Sequence, residues 1–212
     1  MKIVCFANQK GGCGKSTLLV IFAAYLKKVL DKSVIVIDTD KQRTVFSFYE
    51  KEKNVFSNDP LYEVLYMNNV DAQDYFKGIK DDDTIYLIDT PNQLDEENFN
   101  LLKLADSVIV PYNYSNSSMS STLTFLDVYK LIYEDDVKLI FIANAIKNTI
   151  NTDSLAIFKG FLLKDLENGR VLDNDIKDTI KAQRVDILNV DKSLLIEFET
   201  PLKELADKIG IN

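Results

Sequence analysis

The run Gln9-Lys10-Gly11-Gly12-Cys13-Gly14-Lys15-Ser16-Thr17 has the residue types and spacing of a phosphate cradle. Glycines at Gly11, Gly12 and Gly14 let backbone N–H groups turn inward around phosphate oxygens, and a helix opening at Ser16 adds the positive end of its dipole. Lys15 is placed to reach the β- and γ-phosphates of a nucleotide, and the Ser16 hydroxyl to bind Mg²⁺, with Thr17 following in the first helical turn. The chain has seven glycines, and three of them within Gly11–Gly14 single out this loop. The general phosphate-loop pattern asks for a glycine five positions before Gly14; Gln9 stands there instead, and a lysine, Lys10, follows it.

Acidic residues close two further apolar runs: Asp38 and Asp40 in Ile37-Asp38-Thr39-Asp40-Lys41-Gln42, and Asp89 in Leu87-Ile88-Asp89-Thr90-Pro91. A carboxylate at the carboxyl end of a parallel strand faces the crevice where open α/β sheets bind ligands. The sequence contains no histidine, so acid–base or water-positioning work falls to such carboxylates. The plainer reading of Asp38 and Asp40 is a loop that caps the next helix. Asn144, after another apolar run, also has a plainer reading as a turn residue.

These residues need a sheet to hold them. Lys2–Ala7, Ser33–Ile37, Ile85–Ile88, Ser107–Val110 and Val137–Ile142 are short, near-continuous apolar runs, as expected of parallel strands covered on both faces. Helical patterns occupy Ser16–Leu30, Asp95–Leu104, Ser121–Ile132 and Asp153–Glu167. The alternation predicts an α/β fold, a doubly wound, mostly parallel sheet with helices on both faces. The first helix is apolar nearly all round and is expected inside the core. Asp81–Asp83 and Asp135-Asp136 are expected in solvated loops.

At 212 residues and 46% hydrophobic composition, the chain is long enough for one domain with a substantial core. Two cysteines cannot build a disulfide framework or a four-cysteine metal site, and are read as reduced thiols of a cytoplasmic protein. Cys5 is expected in the core. Cys13 is either a small loop residue or a thiol sensitised by the helix N-terminus. The longest apolar run, Leu18–Leu26, is too short to span a bilayer, and no export signal precedes it. A net charge of −8 argues against a wholly nucleic-acid-binding surface.

The loop with its extra lysine resembles the ParA/MinD family of deviant Walker-type P-loop ATPases, whose hallmark is KGGxGK[ST] with a signature lysine, here Lys10. The resemblance implies that Lys10 meets the phosphates bound by a partner subunit in an ATP-bound dimer. Asp38-Thr39-Asp40-Lys41-Gln42 resembles the family's DxDxQ switch, with Lys41 where proline is usual. It implies an outer-shell Mg²⁺ role for Asp38 and a water-orienting role for Asp40. Asp89 resembles the family's Walker B residue and would complement Ser16 at Mg²⁺ through water, while Asn144 would contact adenine. Val171–Ile176 resembles a late strand near the base, without the usual Pro-Arg element. The match runs from the first strand to Asn144, with weaker correspondence beyond.

The resemblance further implies a single P-loop ATPase domain over residues 1–212, ATP and Mg²⁺ as cofactors, and an ATP-dependent homodimer. Slow basal hydrolysis would be raised by an activator protein, for which an acidic surface favours a basic segment. The cargo would be plasmid or chromosomal DNA or another body to be positioned. Nonspecific DNA binding would rest on Lys177, Lys181 and Arg184, which follow helical spacing, although acidic residues outnumber basic ones from Lys159 onward. The C-terminal PLKELADKIGIN lacks the basic, aromatic character of a membrane anchor and is expected to close the fold. An iron–sulfur reductase is disfavoured by the lack of further cysteines. The competing reading is a small-molecule transferase or ligase of the dethiobiotin-synthetase-like type.

Overall fold

The computed structural model describes residues 1–56, 60–80, 82–93, 95–133, 139–147, 152–165 and 170–211. Among them, six parallel strands form one sheet: β1 (Lys2–Phe6), β2 (Val34–Asp38), β3 (Glu63–Tyr66), β4 (Ile85–Asp89), β5 (Ser107–Tyr112) and β6 (Leu139–Ala143), in the order β3-β2-β4-β1-β5-β6. The chain leaves β1 for β2, two places away, and β4 later fills the gap. That reversal opens the crevice at the carboxyl ends of β1, β4 and β2. The expected α/β doubly wound architecture is therefore what forms. Val137 and Lys138, expected in the last strand, lie outside the described residues, as do Asp81, Asp135, Asp136 and Glu167.

Alternate strand residues feed two cores. Val4, Phe6, Leu87 and Ile109 face α1 (Lys15–Lys28) and the C-terminal helices α8 (Lys192–Glu197) and α9 (Glu199–Lys208). Cys5, Ile88, Val108 and Phe141 face α3 (Asn69–Gly78), α4 (Glu96–Leu104), α5 (Asn116–Tyr133) and α6 (Thr152–Asp165). This period of two is what a strand covered on both faces requires. Leu18 through Leu26 of α1 are all buried, as their all-round apolarity predicts. Burying a Leu- or Phe-sized side chain contributes about 1.5–3 kcal/mol, so this helix is firmly seated and carries the phosphate loop with it. α9 packs Leu202 and Leu205 into the same core, so the C-terminus closes the fold as expected.

Two regions differ from expectation. α2 (Thr44–Phe56), β3 and α3 fill a stretch where the apolar pattern gave no element. β3 is a short edge strand with an exposed Glu63 beside a buried Val64, and α2 is heavily charged. Lys177, Lys181 and Arg184 do not share a helical face. α7 spans only Ile180–Gln183: Lys177 is drawn into a parallel bridge with Ile146, the Thr179 side chain caps the helix, and Arg184 ends it. Among the described residues, no helix is long and apolar enough to cross a membrane.

Candidate functional site

The phosphate loop joins β1 to α1 and is held from outside. The Asn8 amide, buried, donates to the Pro111 carbonyl (2.8 Å) and the Thr122 hydroxyl (3.0 Å), while its oxygen accepts from the Lys10 N–H (3.1 Å). Gly12 and Gly14 adopt φ of 76° and 84°, the left-handed region that glycine enters without strain. No side chain caps α1, so its first N–H groups face the loop interior without an intramolecular acceptor from a cap. That is the backbone arrangement of an anion site.

Asn144 closes the loop from the end of β6. Its amide donates to the carbonyls of Cys13 (2.9 Å) and Gly14 (3.3 Å), and a Cβ on Gly14 would run into that amide. We therefore expect Gly14→Ala to destabilise the protein by more than Gly12→Ala. Both incur about 1–2 kcal/mol for the left-handed backbone. Only Gly14→Ala also displaces a neighbour, since a Cβ on Gly12 meets nothing within 4 Å. Urea unfolding of the two variants checks the ordering; equal losses would refute the contact.

The carboxylates converge because register places them level. Asp89 pairs across the sheet with both Phe6 and Asp38, so three strand ends meet at one height. The Ser16 hydroxyl donates to Asp89 Oδ2 at 2.5 Å, while Asp89 Oδ1 is buried without a partner among the described residues. Burial raises the Asp89 pKa to about 7; the Ser16 hydrogen bond and the Lys15 charge oppose this, and the charges of Asp38 and Asp40 add to it. Asp38, fully buried, accepts from the N–H of Asp40 and from that of Phe46, each at 3.0 Å. Burial raises its pKa as well, against those N–H donors. Asp40 is half-buried and accepts from the Gln42 N–H (2.9 Å). These bonds show Asp38 in the loop-capping role, its carboxylate anchoring the turn that presents Asp40 and the first turn of α2.

Lys15 is 8% exposed, and its ammonium donates to Asn92 Oδ1, one residue beyond Pro91. Asn92 drew no attention in the sequence; the available signal was an amide just past a strand-ending Asp-Thr-Pro. Asn8 was missed likewise, and its signal was a polar residue directly after an apolar strand. Thr39 and Thr90 knit the strand ends together, their hydroxyls donating to the carbonyls of Asp89 and Phe6. Lys10 is half-exposed, and no acceptor among the described residues takes its ammonium. Cys13 is buried, and burial pushes its thiol up more than Lys15 and the helix N–H groups pull it down, opposite to a sensitised thiol. Thr17 lines a cavity of about 180 Å³ with Asn144, Ile176 and Asp178.

Comparison with solved structures places this arrangement among known relatives by fold. A protein from Borrelia burgdorferi assigned to plasmid partition, bound to AMPPNP, superposes with a TM-score of 0.75 at 22% identity, over 98% of this chain and 99% of that one. A Cyanothece McdA–ATP complex superposes with a TM-score of 0.74 at 17% identity, over 100% and 97%. Cobyrinic acid a,c-diamide synthase from Mycobacterium smegmatis, with ADP and magnesium, gives 0.64 at 21% identity, over 95% and 96%. No curated protein matches the chain. Residues 4–199 match the model of the CobQ/CobB/MinD/ParA nucleotide binding domain, a span that takes in the whole phosphate loop, most of β1 and all of β2 to β6, and the chain belongs to that family.

Proposed function

We propose that this protein is a Mg²⁺-dependent ATPase that hydrolyses ATP slowly and works as a dimerisation switch to position plasmid or chromosomal DNA or another cargo. The observation that carries this reading is the Ser16–Asp89 pair beside Lys15, with Asp40 presented from the adjacent strand end and the half-exposed Lys10 ammonium without an acceptor among the described residues. Asp89 Oδ1, buried and orphaned, suits a cation site. Ser16 and Asp89 would hold Mg²⁺, with Asp38 behind them; the ion's chemistry when bound is neutralisation of phosphate charge. Among the described residues no three acidic or cysteine side chains are arranged to hold a metal ion by themselves, and an ion here would take most of its shell from phosphate and water.

The glycine-loop N–H groups, Cys13 and Thr17 included, cradle the phosphates, and Lys15 neutralises them. Asp40 orients the attacking water, and Lys10 reaches the phosphates of the second subunit, as an arginine finger does. Asn144 contacts adenine from the end of β6, where its amide also grips the loop. ATP rather than another nucleotide is supported by the ATP and AMPPNP in two of the similar structures. Residues 1–212 act as one such domain in the cytoplasm, with an activator whose basic segment suits the acidic surface. Of the three cations expected to meet DNA, Lys177 and Arg184 are exposed, whereas Lys181 donates to Ser193 (2.6 Å).

The test is fluorescence anisotropy of a nonspecific duplex with Asp40→Ala protein, ATP–Mg²⁺ against ADP, at two salt concentrations. ATP-dependent, salt-sensitive binding is the expected result, with log affinity falling by about 0.9 per phosphate contact per log unit of salt. A dimer without DNA binding would move the cargo to a protein scaffold. No dimer would sink the switch. The cobyrinic acid synthase likeness favours one other reading, amide-forming ligation, and ATP turnover that required a small-molecule co-substrate would support it.

A further inference from the structure

We infer that Asn92 is a latch on the phosphate-binding lysine: without nucleotide it holds Lys15, and a bound phosphate displaces it and frees residues 91–93 after β4. This rests on the nucleotide-binding reading above and deepens it. The Lys15 ammonium donates to Asn92 Oδ1, and the Asn92 amide lies against the phosphate loop, 3.5 Å from where a Cβ on Gly11 would stand. Asn92 also lines the cavity of about 200 Å³ that Asp40 and Gln42 border from the loop after β2. One side chain therefore touches the phosphate loop, the phosphate-binding lysine and the space in front of Asp40.

The physical consequence is competition. Lys15 is nearly buried, so its charge needs a partner, and the neutral amide oxygen supplies one until an anion supplies a better one. Nucleotide binding must break this bond, which lowers the apparent affinity by the fraction of molecules with Lys15 free. The release travels into α4 through Asn98. The Asn98 amide, buried, donates to the Gln93 carbonyl (2.6 Å) and the Pro91 carbonyl (3.4 Å), and its backbone N–H donates to the capping Asp95 (2.9 Å). Residues flanking Asn92 are thus tied to the first turn of α4, and a shift of Asn92 loads those bonds.

The experiment titrates a fluorescent ADP into wild type, Asn92→Ala and Asn92→Asp, with and without Mg²⁺, after matching thermal unfolding shows that all three fold. Asn92→Ala is expected to bind about tenfold more tightly, because its unpaired, nearly buried Lys15 awaits an anion. Asn92→Asp is expected to bind at least about tenfold more weakly, since a carboxylate pairs with Lys15 and repels phosphate. Hydrogen exchange supplies the second readout. The Asn98 and Phe99 amides should exchange faster in wild type once ADP is added, and be fast without ADP in Asn92→Ala. Weaker binding by Asn92→Ala would make Asn92 a nucleotide contact and overturn the latch, as would equal affinities of all three proteins. Wild type that binds no ADP would overturn the nucleotide reading itself.

Discussion

Lys10→Ala should lower ATP turnover by roughly 10³-fold, the low end of what a charge supplied to the transferring phosphoryl group contributes, while ADP affinity stays within about threefold. The separation follows from position. Lys15 sits inside the cradle, nearly buried, whereas Lys10 is held at its rim by its backbone, through the Asn8 oxygen, with its side chain unengaged. A group so placed contributes little to one subunit's grip on nucleotide and can reach across to another's. Mixing decides between reach within a subunit and reach across a dimer. In a mixed dimer of Lys10→Ala and Asp40→Ala subunits, the site built on the first subunit has its own Asp40 and its partner's Lys10. Random pairing then restores about a quarter of wild-type turnover from two inactive proteins. Mixtures that stay inactive, with mixed dimers shown to form, would place the action of Lys10 within its own subunit.

The central site was legible because its residues fall where pattern and chemistry coincide. Near-continuous apolar runs marked β1, β2, β4, β5 and most of β6, and each candidate carboxylate sits at the end of such a run or just past it. What the pattern omitted lies at the sheet edge and in the loops. β3 and α2 bury little apolar surface at regular spacing, so periodicity had nothing to detect there. Asn8 through two hydrogen bonds and Asn92 through one reach groups more than seventy residues away in sequence. Such partners are set by the register of β1, β4 and β5, which no local window contains. The Lys177–Arg184 stripe failed for the related reason that Ile146 captures Lys177 in a bridge before any helix can begin. Helical spacing names a face only where a helix forms.

Nucleotide-free protein should lose stability as pH rises from about 5 to 7.5, and Asp89→Asn should remove most of that loss. Burial holds the Asp89 carboxyl at about 7, well above its unfolded value near 4. The folded state therefore binds the proton more tightly than the unfolded state. The stability this lends is fully present below about pH 4, declines as pH climbs toward 7, and is gone above it. Asp38 is also raised and adds a slope of the same sign; Asp191, lowered by its Ser193 hydrogen bonds, acts at acid pH, below this window. About three pKa units correspond to a ceiling of about 4 kcal/mol, so Asp89→Asn should melt about 5–10 °C above wild type at pH 8 and much closer to it at pH 5. The same burial gives Mg²⁺ a counter-effect. A cation beside the orphaned Oδ1 favours the carboxylate, so ADP–Mg²⁺ binding at pH 6.5 should release more protons from wild type than from Asp89→Asn. Calorimetry in buffers of different ionisation enthalpy reads that difference. Parallel melting profiles for the two proteins across this range would mean that Asp89 is ionised in the empty site, and would take away the reason for metal to bind with proton release.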